Sequence, residues 1–436
     1  MNLIFDKPMS SIDSTLPQAT TQQSQPSPSK LSLAGLDWTN FFLADVRTGV
    51  GPFVAVYLAG LHWSVQAVGF ALTVAEVAGV LTQAPGGALM DRVHAKRATL
   101  IAAIGVLAAS SILLAEFPTR WIVTIAQAAL GVTGSIFVPG IGAITLGLVG
   151  YACLGARTGR NVGFSSAGNV VAAISMAVIG FHYSTRAIFF FVALLSIPAA
   201  LAVMMIRSNE IDYELARGAP LKQVKSGGLR EVFCDRRMII LAAVTIFFNL
   251  GNGAMLPFAG QMVSAARPER GDLWMGTLLM VPQVIMALIC PAVGRIADAR
   301  GRKPIMLFGL IFLPLRATIF AFVRNPQWLV SAQVLDGVAA GITMVAGTLI
   351  IADCTEGTGH FNLAVGAIGA AIGIGASIST AMAGVITQHW GYRAGFLSLA
   401  VAGLIAVIIF GWMMPETREH GQIQSVITNE NIPRAA

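Results

Sequence analysis

The chain reads Gly87-Ala88-Leu89-Met90-Asp91-Arg92-Val93-His94-Ala95-Lys96-Arg97, and later Gly294-Arg295-Ile296-Ala297-Asp298-Ala299-Arg300-Gly301-Arg302-Lys303. Gly87 to Gly294 and Asp91 to Asp298 are each 207 positions apart. Each copy sets a glycine, an acid and a basic cluster just after an apolar segment. A short pattern repeated at equal depth in two apolar halves implies a membrane protein built by duplication.

The composition agrees. Mean hydropathy is +0.73. Only 11% of residues are charged, against about 25% in soluble domains. The apolar segments do not alternate polar and apolar residues, which excludes a transmembrane barrel. The net charge of +7 raises nucleic acid as a partner, but the basic residues sit in short loops between apolar stretches, so no nucleic-acid partner is expected. Cys153, Cys234, Cys290 and Cys354 have neither close pairing nor histidines at ligand spacing. They read as small apolar residues, with no metal site and no cofactor expected.

Stretches of about 20 apolar residues can span a bilayer. Twelve are predicted, near 38–60, 66–88, 98–116, 121–145, 163–182, 187–206, 238–262, 272–294, 304–323, 328–351, 363–387 and 393–414. The stretch from Trp121 to Leu154 is long for one span and short for two, and the repeat favours one span with a helical or re-entrant extension. Further anchors fit the duplication: Glu76 with Gln283, Gln127 with Gln333, Gly131 with Gly337, Pro52 with Pro257 and Arg186 with Arg393. The expected organisation is a disordered tail over 1–30, rich in Ser, Pro, Gln and Thr, and a first six-helix bundle over 31–206. A charged linker follows over 207–237, then a second bundle over 238–420 and a tail over 421–436. The tail at the start lacks the basic-then-apolar order of a cleavable signal, so the first span is expected to be retained.

Orientation follows from the loop cations. Of 28 Lys and Arg, Arg47 and Arg316 fall inside spans, and Arg120, Arg186, Arg267, Arg270, Arg324 and Arg393 fall in one set of loops. The other twenty fall in the opposite set. Both termini and the linker are therefore expected in the cytoplasm, in a multi-pass protein of the cell membrane.

On these residues the chain resembles the major facilitator superfamily over nearly its whole length after the tail. The G-x-L-x-D-R-x-x-x-K-R loop between spans 2 and 3 looks like that family's hallmark, and the weaker copy between spans 8 and 9 fits too. The resemblance implies an all-α membrane protein with twelve transmembrane helices in two pseudo-symmetric six-helix bundles. It also implies a central cavity lined chiefly by spans 1, 4, 7 and 10, and alternating access. In the family the motif is thought to latch the halves, which implies a conformational role for Gly87, Asp91, Arg92, Gly294, Asp298, Gly301 and Arg302. Three features depart from the family pattern. His94 stands where the second glycine is usual, span 4 lacks an arginine near Gln127, and Phe164–Val170 lacks the Gly-Pro of drug–proton antiporters.

The motif residues also have a reading of their own. Glycine permits close helix approach, Asp91 and Asp298 can accept from backbone N–H groups at a helix start, and the cations face the aqueous surface. Charges within spans are costly, roughly 3 kcal/mol or more at the bilayer centre. There are five: Asp45, Arg47, Glu76, Arg316 and Asp336. Asp45 and Arg47 lie about 200° apart around a helix, so one should face the pathway and the other a neighbour, with Gly49, Gly51 and Pro52 able to bend the segment. Glu76 is central in span 2, and its repeat mate Gln283 is neutral. It reads either as an ion-pair partner of Arg47 or as a titratable coupling group. Arg316 and Asp336 read as a structural ion pair, with Asp336 alternatively facing substrate. Gln127, Asn169, Asn249, Asn252, Gln283 and Gln333 complete the polar candidates for substrate or coupling.

No Walker motif is present, so ATP is not the direct driver. No catalytic cluster is evident, and an enzyme is not expected. The reading is a secondary transporter, expected as a monomer, for a small organic solute and driven by protons. Export is favoured by the resemblance, with proton-symport uptake as the alternative. A transporter-like solute sensor is the reading from another class, disfavoured by the short linker.

Overall fold

The computed structural model describes residues 28–48, 50–219, 233–266 and 271–418, without the side chains of 45–52, 65, 264–266 and 271–273. No strand occurs among them. The helices are α1 (Lys30–Thr48), α2 (Val50–Gly60), α3 (Val65–Arg92), α4 (Lys96–Glu116), α5 (Arg120–Val149), α6 (Leu154–His182) and α7 (Thr185–Met205). They continue with α8 (Arg236–Asn252), α9 (Met255–Ala266), α10 (Gly271–Arg300), α11 (Lys303–Phe322), α12 (Pro326–Thr355) and α13 (Phe361–Met413).

Ten helical stretches among the described residues are long and apolar enough to cross a membrane. Their outer surfaces stay apolar: Trp121 is 80% exposed, Phe181 86% and Trp412 90%, an arrangement water would not tolerate but lipid does. Buried apolar side chains gather in two clusters. One is built by α1 to α7 with Ile206, Ile211 and Ala216 of the following segment, the other chiefly by α8 to α13.

Several boundaries differ from the sequence expectation, each for a local reason. Over 121–154 one helix runs to Val149, Gly150 turns the chain at φ 65°, and α6 begins at Leu154. That is nine residues before the expected span, because helix continues past the apolar core into the polar boundary. Arg157 and Arg160, expected in a loop, therefore lie in the first turns of α6. The expected span 238–262 is two helices, α8 and α9, parted at Gly253 and Ala254. Pro257 lacks the N–H that would meet the Gly253 carbonyl four residues earlier, and the Ala254 N–H donates instead to Ser379 Oγ at 2.9 Å. Its repeat mate Pro52 stands four residues after Thr48, where α1 ends. Helix α13 has 53 residues and would be about 80 Å long if straight, but Gly391 breaks it at φ 80°, ψ 170°.

The described part of the linker is packed. Ile211, Leu215 and Ala216 are buried. The Asp212 N–H donates to the Gly147 carbonyl (2.9 Å), and the Gly359 N–H donates to the Gly218 carbonyl (3.1 Å). The segment thus touches α5 on one side and the approach to α13 on the other. Residues 1–27 of the expected first tail, linker residues 220–232, the last two residues of the expected second bundle (419–420) and the whole expected tail over 421–436 lie outside the described residues.

Candidate functional site

Both motif copies sit at one end of the molecule and reach across to a helix start in the other half. At the end of α3, Asp91 Oδ1 accepts from the Asn362 backbone N–H (3.0 Å) and from Asn362 Nδ2 (2.8 Å). Its Oδ2 accepts from the Leu363 N–H (2.8 Å). The first N–H groups of a helix lack intrahelical partners and carry partial positive charge, so this carboxylate completes the first turn of α13. In the second copy, Asp298 Oδ2 accepts from the Ala156 N–H at 2.9 Å, in the first turn of α6.

The glycines allow the approach. A Cβ on Gly87 would lie under 3.0 Å from the Asn362 carbonyl oxygen, and one on Gly294 equally close to that of Gly155. One turn on, Gly366 meets the Gln83 carbonyl and Gly159 meets that of Cys290 in the same way. Helix α3 therefore lies backbone to backbone on α13, and α10 on α6.

The cations correct the sequence expectation. Arg92 is exposed, but Lys96 and Arg302 are buried (1% and 7%). Lys96 Nζ donates to the Met90 carbonyl and to that of Val93 (3.3 Å). Arg302 donates to the Ala297 carbonyl (2.7 Å), 207 positions after Met90, and to Asp298 (3.1 Å) and Asp353 (3.2 Å). Each satisfies a carbonyl at a helix end, where cations are favoured. The missing glycine at His94 is explained as well. The second copy turns at Gly301 with φ 95°, whereas the first leaves its helix through Val93 in extended conformation, which needs no glycine.

Starting from the end that carries the motif copies, α3 presents Gly87, Gln83 and Val80 to Asn362, Gly366 and Gly373 in turn. Glu76, next on that row, is exposed and has no partner among the described residues. The repeat mate behaves differently: Gln283 Oε1 accepts from Asn169 Nδ2 at 3.1 Å, joining α10 to α6. The position 207 after Asn169 is Ala376, which offers Glu76 no amide. An acid therefore stands where the matching interface has an amide pair.

The other candidates scatter. Gln127 is buried (2%). Asn249 is held by the Thr245 carbonyl of its own helix (2.9 Å). Asn252, Gln333 and Asp336 all meet Arg316, which is 1% exposed. Gln333 also donates to the Leu278 carbonyl (2.8 Å), extending the cluster to α10. The side chains of Asp45 and Arg47 lie outside the described residues. No group of His, Cys, Asp and Glu among the described residues is placed to hold a metal.

One cluster was missed. Asp37 accepts from Arg157 Nη2 (2.8 Å) and from Arg160 Nη2 (2.8 Å), tying α1 to α6. Asp37 stands one residue before the expected first span, and both arginines were counted as loop cations. The three-residue spacing of Arg157 and Arg160, on one helical face, was the available signal.

Comparison with known proteins agrees with this architecture. The family model described as Major Facilitator Superfamily matches residues 36–315 and 273–428. An uncharacterised MFS-type transporter of Mycobacterium tuberculosis is 36% identical over 387 residues, covering 88% of this chain and 93% of that protein. The multidrug resistance protein MdtG of Escherichia fergusonii is 24% identical, covering 88% and 95%. MdtG of Salmonella typhimurium is 25% identical, covering 86% and 93%. The chain belongs to the Major Facilitator Superfamily. It is a multi-pass membrane protein of a transporter family, and none of these relatives is named as an enzyme.

Proposed function

We propose that this chain is a proton-coupled exporter of a small amphipathic organic solute, working by alternating access between two six-helix bundles over 31–206 and 238–420. Twelve crossings follow if α1 with α2 and α8 with α9 each make one span, and α13 makes two about Gly391. The observation that carries the reading is Glu76: an exposed acid without a partner among the described residues, one helical turn beyond Val80 on the row that α3 presents to α13. A coupling group must meet water from each side in turn, and intramembrane acids without partners are functional by default. Export is supported by the similarity to relatives named for multidrug resistance. The absent Gly-Pro in span 5 favours uptake by proton symport as the second reading.

Transport of a panel of amphipathic drugs into sealed proteoliposomes, with and without an imposed pH gradient, tests this. The wild type should move a member of the panel uphill only with the gradient. Glu76→Gln should lose that uphill movement at least tenfold while retaining exchange at equal pH. Wild-type gradient dependence in Glu76→Gln would remove Glu76 from the mechanism and leave Asp45.

The latched end is cytoplasmic in this reading, with both termini and the linker. In a chain whose exposed Cys153 and Cys234 are serine, a single cysteine at position 226 should resist an impermeant thiol reagent outside intact cells. Ready labelling there would reverse the orientation.

A further inference from the structure

The latched end also holds a basic cavity beside the second latch, whose Ala156 is among its lining residues. It lies between the start of α1, the end of α5 and the start of α6, and has a volume of about 550 Å³. Lys30, Leu33, Asp37, Cys153, Arg157 and Arg160 are among its lining residues. Three cations there face one carboxylate, leaving two positive charges uncompensated. Glu210, the nearby acid bonded to Ser29, does not line the cavity. It is occupied by Ser29 and Arg207, and hydrogen bonds from Ser32, then Ser29, hold its carboxyl below the usual range.

The two arginines differ in what they have left to offer. Arg157 has a 7% exposed side chain and donates through Nη2 to Asp37 and to the Leu33 carbonyl (3.0 Å). Its buried Nε has no acceptor among the described residues, and buried donors are normally satisfied. Arg160 gives Nε and Nη2 to Asp37, yet its side chain is 54% exposed. Its guanidinium lies 5.2 Å from the centre of the Phe164 ring. Trp38 meets the same ring edge-on and is 44% exposed, as is Leu31, seven residues earlier on the same helical face. An exposed tryptophan and leucine beside a basic cavity at a helix end match the boundary between acyl chains and head groups.

The geometry points to a binding site for a phosphodiester anion, supplied by the head group of an acidic phospholipid. Lys30 and Arg160 take the phosphate, Arg157 backs it from inside, and the acyl chains run along Leu31 and Trp38. Guanidinium groups suit this task because their planar fork matches phosphate oxygens. The site is independent of the direction in which solute moves.

Native mass spectrometry and thermal unfolding of the full chain in a non-ionic detergent test the site. The probes are phosphatidylglycerol, phosphatidylcholine and soluble glycerol 3-phosphate. Phosphatidylglycerol should be retained at least tenfold better than phosphatidylcholine and should raise the unfolding temperature. Retention should fall at least tenfold in Lys30→Gln with Arg160→Gln, which leaves the Asp37–Arg157 pair in place. The single change Lys30→Gln, at an exposed position, should weaken retention about fivefold and covers the event that the double variant does not fold. Equal retention of the two lipids, or unchanged retention in the variants, would overturn the site. An equal stabilisation by glycerol 3-phosphate would overturn the lipid as its source.

Discussion

Arg316→Ala is expected to cost about 3–5 kcal/mol of stability, the usual loss when one partner of a buried ion pair is removed. Arg316 is 1% exposed and is held by Asp336 and Gln333 of α12 and by Asn252 of α8. Its Nε and Nη2 also lie 3.3 and 3.1 Å from Met255 Sδ of α9. It therefore gathers the two pieces of a broken helix onto α12. Removing it leaves the Asp336 carboxylate without its counter-charge. The double change Arg316→Ala with Asp336→Ala removes that penalty and should be less damaging than Arg316→Ala alone. Arg316→Lys keeps the charge but cannot reach the same acceptors with one ammonium, so an intermediate loss follows. Thermal unfolding in detergent reads all three. Additive losses for the two single changes would mean that Arg316 and Asp336 act separately.

The second large effect lies at the latches. An added methyl at Gly87 or Gly294 meets the backbone of the opposite half, the carbonyls of Asn362 and Gly155. Backbone cannot rotate away as a side chain can, so the halves must part. Overpacking costs about 1–3 kcal/mol per site, which shifts the closed–open equilibrium roughly fivefold or more at each. Gly87→Ala with Gly294→Ala should therefore open this end, leaving expression intact while uphill transport fails. Accessibility of a cysteine placed at Leu363, read by thiol labelling in inside-out vesicles, should rise. An unchanged labelling rate would show that the contact is looser than the packing implies.

Much of this architecture was legible in the residues. The duplication could be read because Gly87, Asp91, Glu76 and Gln127 have mates at nearly constant spacing. Helix ends were harder, because hydropathy marks the apolar core of a helix and not its polar extensions. That is why α6 began early and Asp37 was overlooked. The split between α8 and α9 was within reach, since Pro257 pairs with Pro52, but a proline shows only where a carbonyl is freed and not whether the chain parts there. The partners of Asp91 were not legible: Asn362 is 271 residues away, and only the folded chain brings it near. That α13 offers Glu76 no amide becomes readable once Asn169 and Ala376 are aligned by the repeat.

In the proposed function the two ends open in turn and Glu76 sets which end is open. Closing the outer end over an ionised carboxylate removes it from water at a cost, and protonation removes that cost. Acid should therefore favour the state closed at the outer end and open at the latches. Spin labels at the exposed positions Ala95 and Ala299 report on the latched end, and labels at Leu61 and His389 report on the opposite end. Pulsed electron paramagnetic resonance distances at acid and alkaline pH, with the four native cysteines replaced, read both. Acid should lengthen the first distance and shorten the second in the otherwise wild-type chain, and Glu76→Gln should show the acid pattern at both pH values. Ends that fail to move in opposition, or a wild-type pH response in Glu76→Gln, would contradict the account.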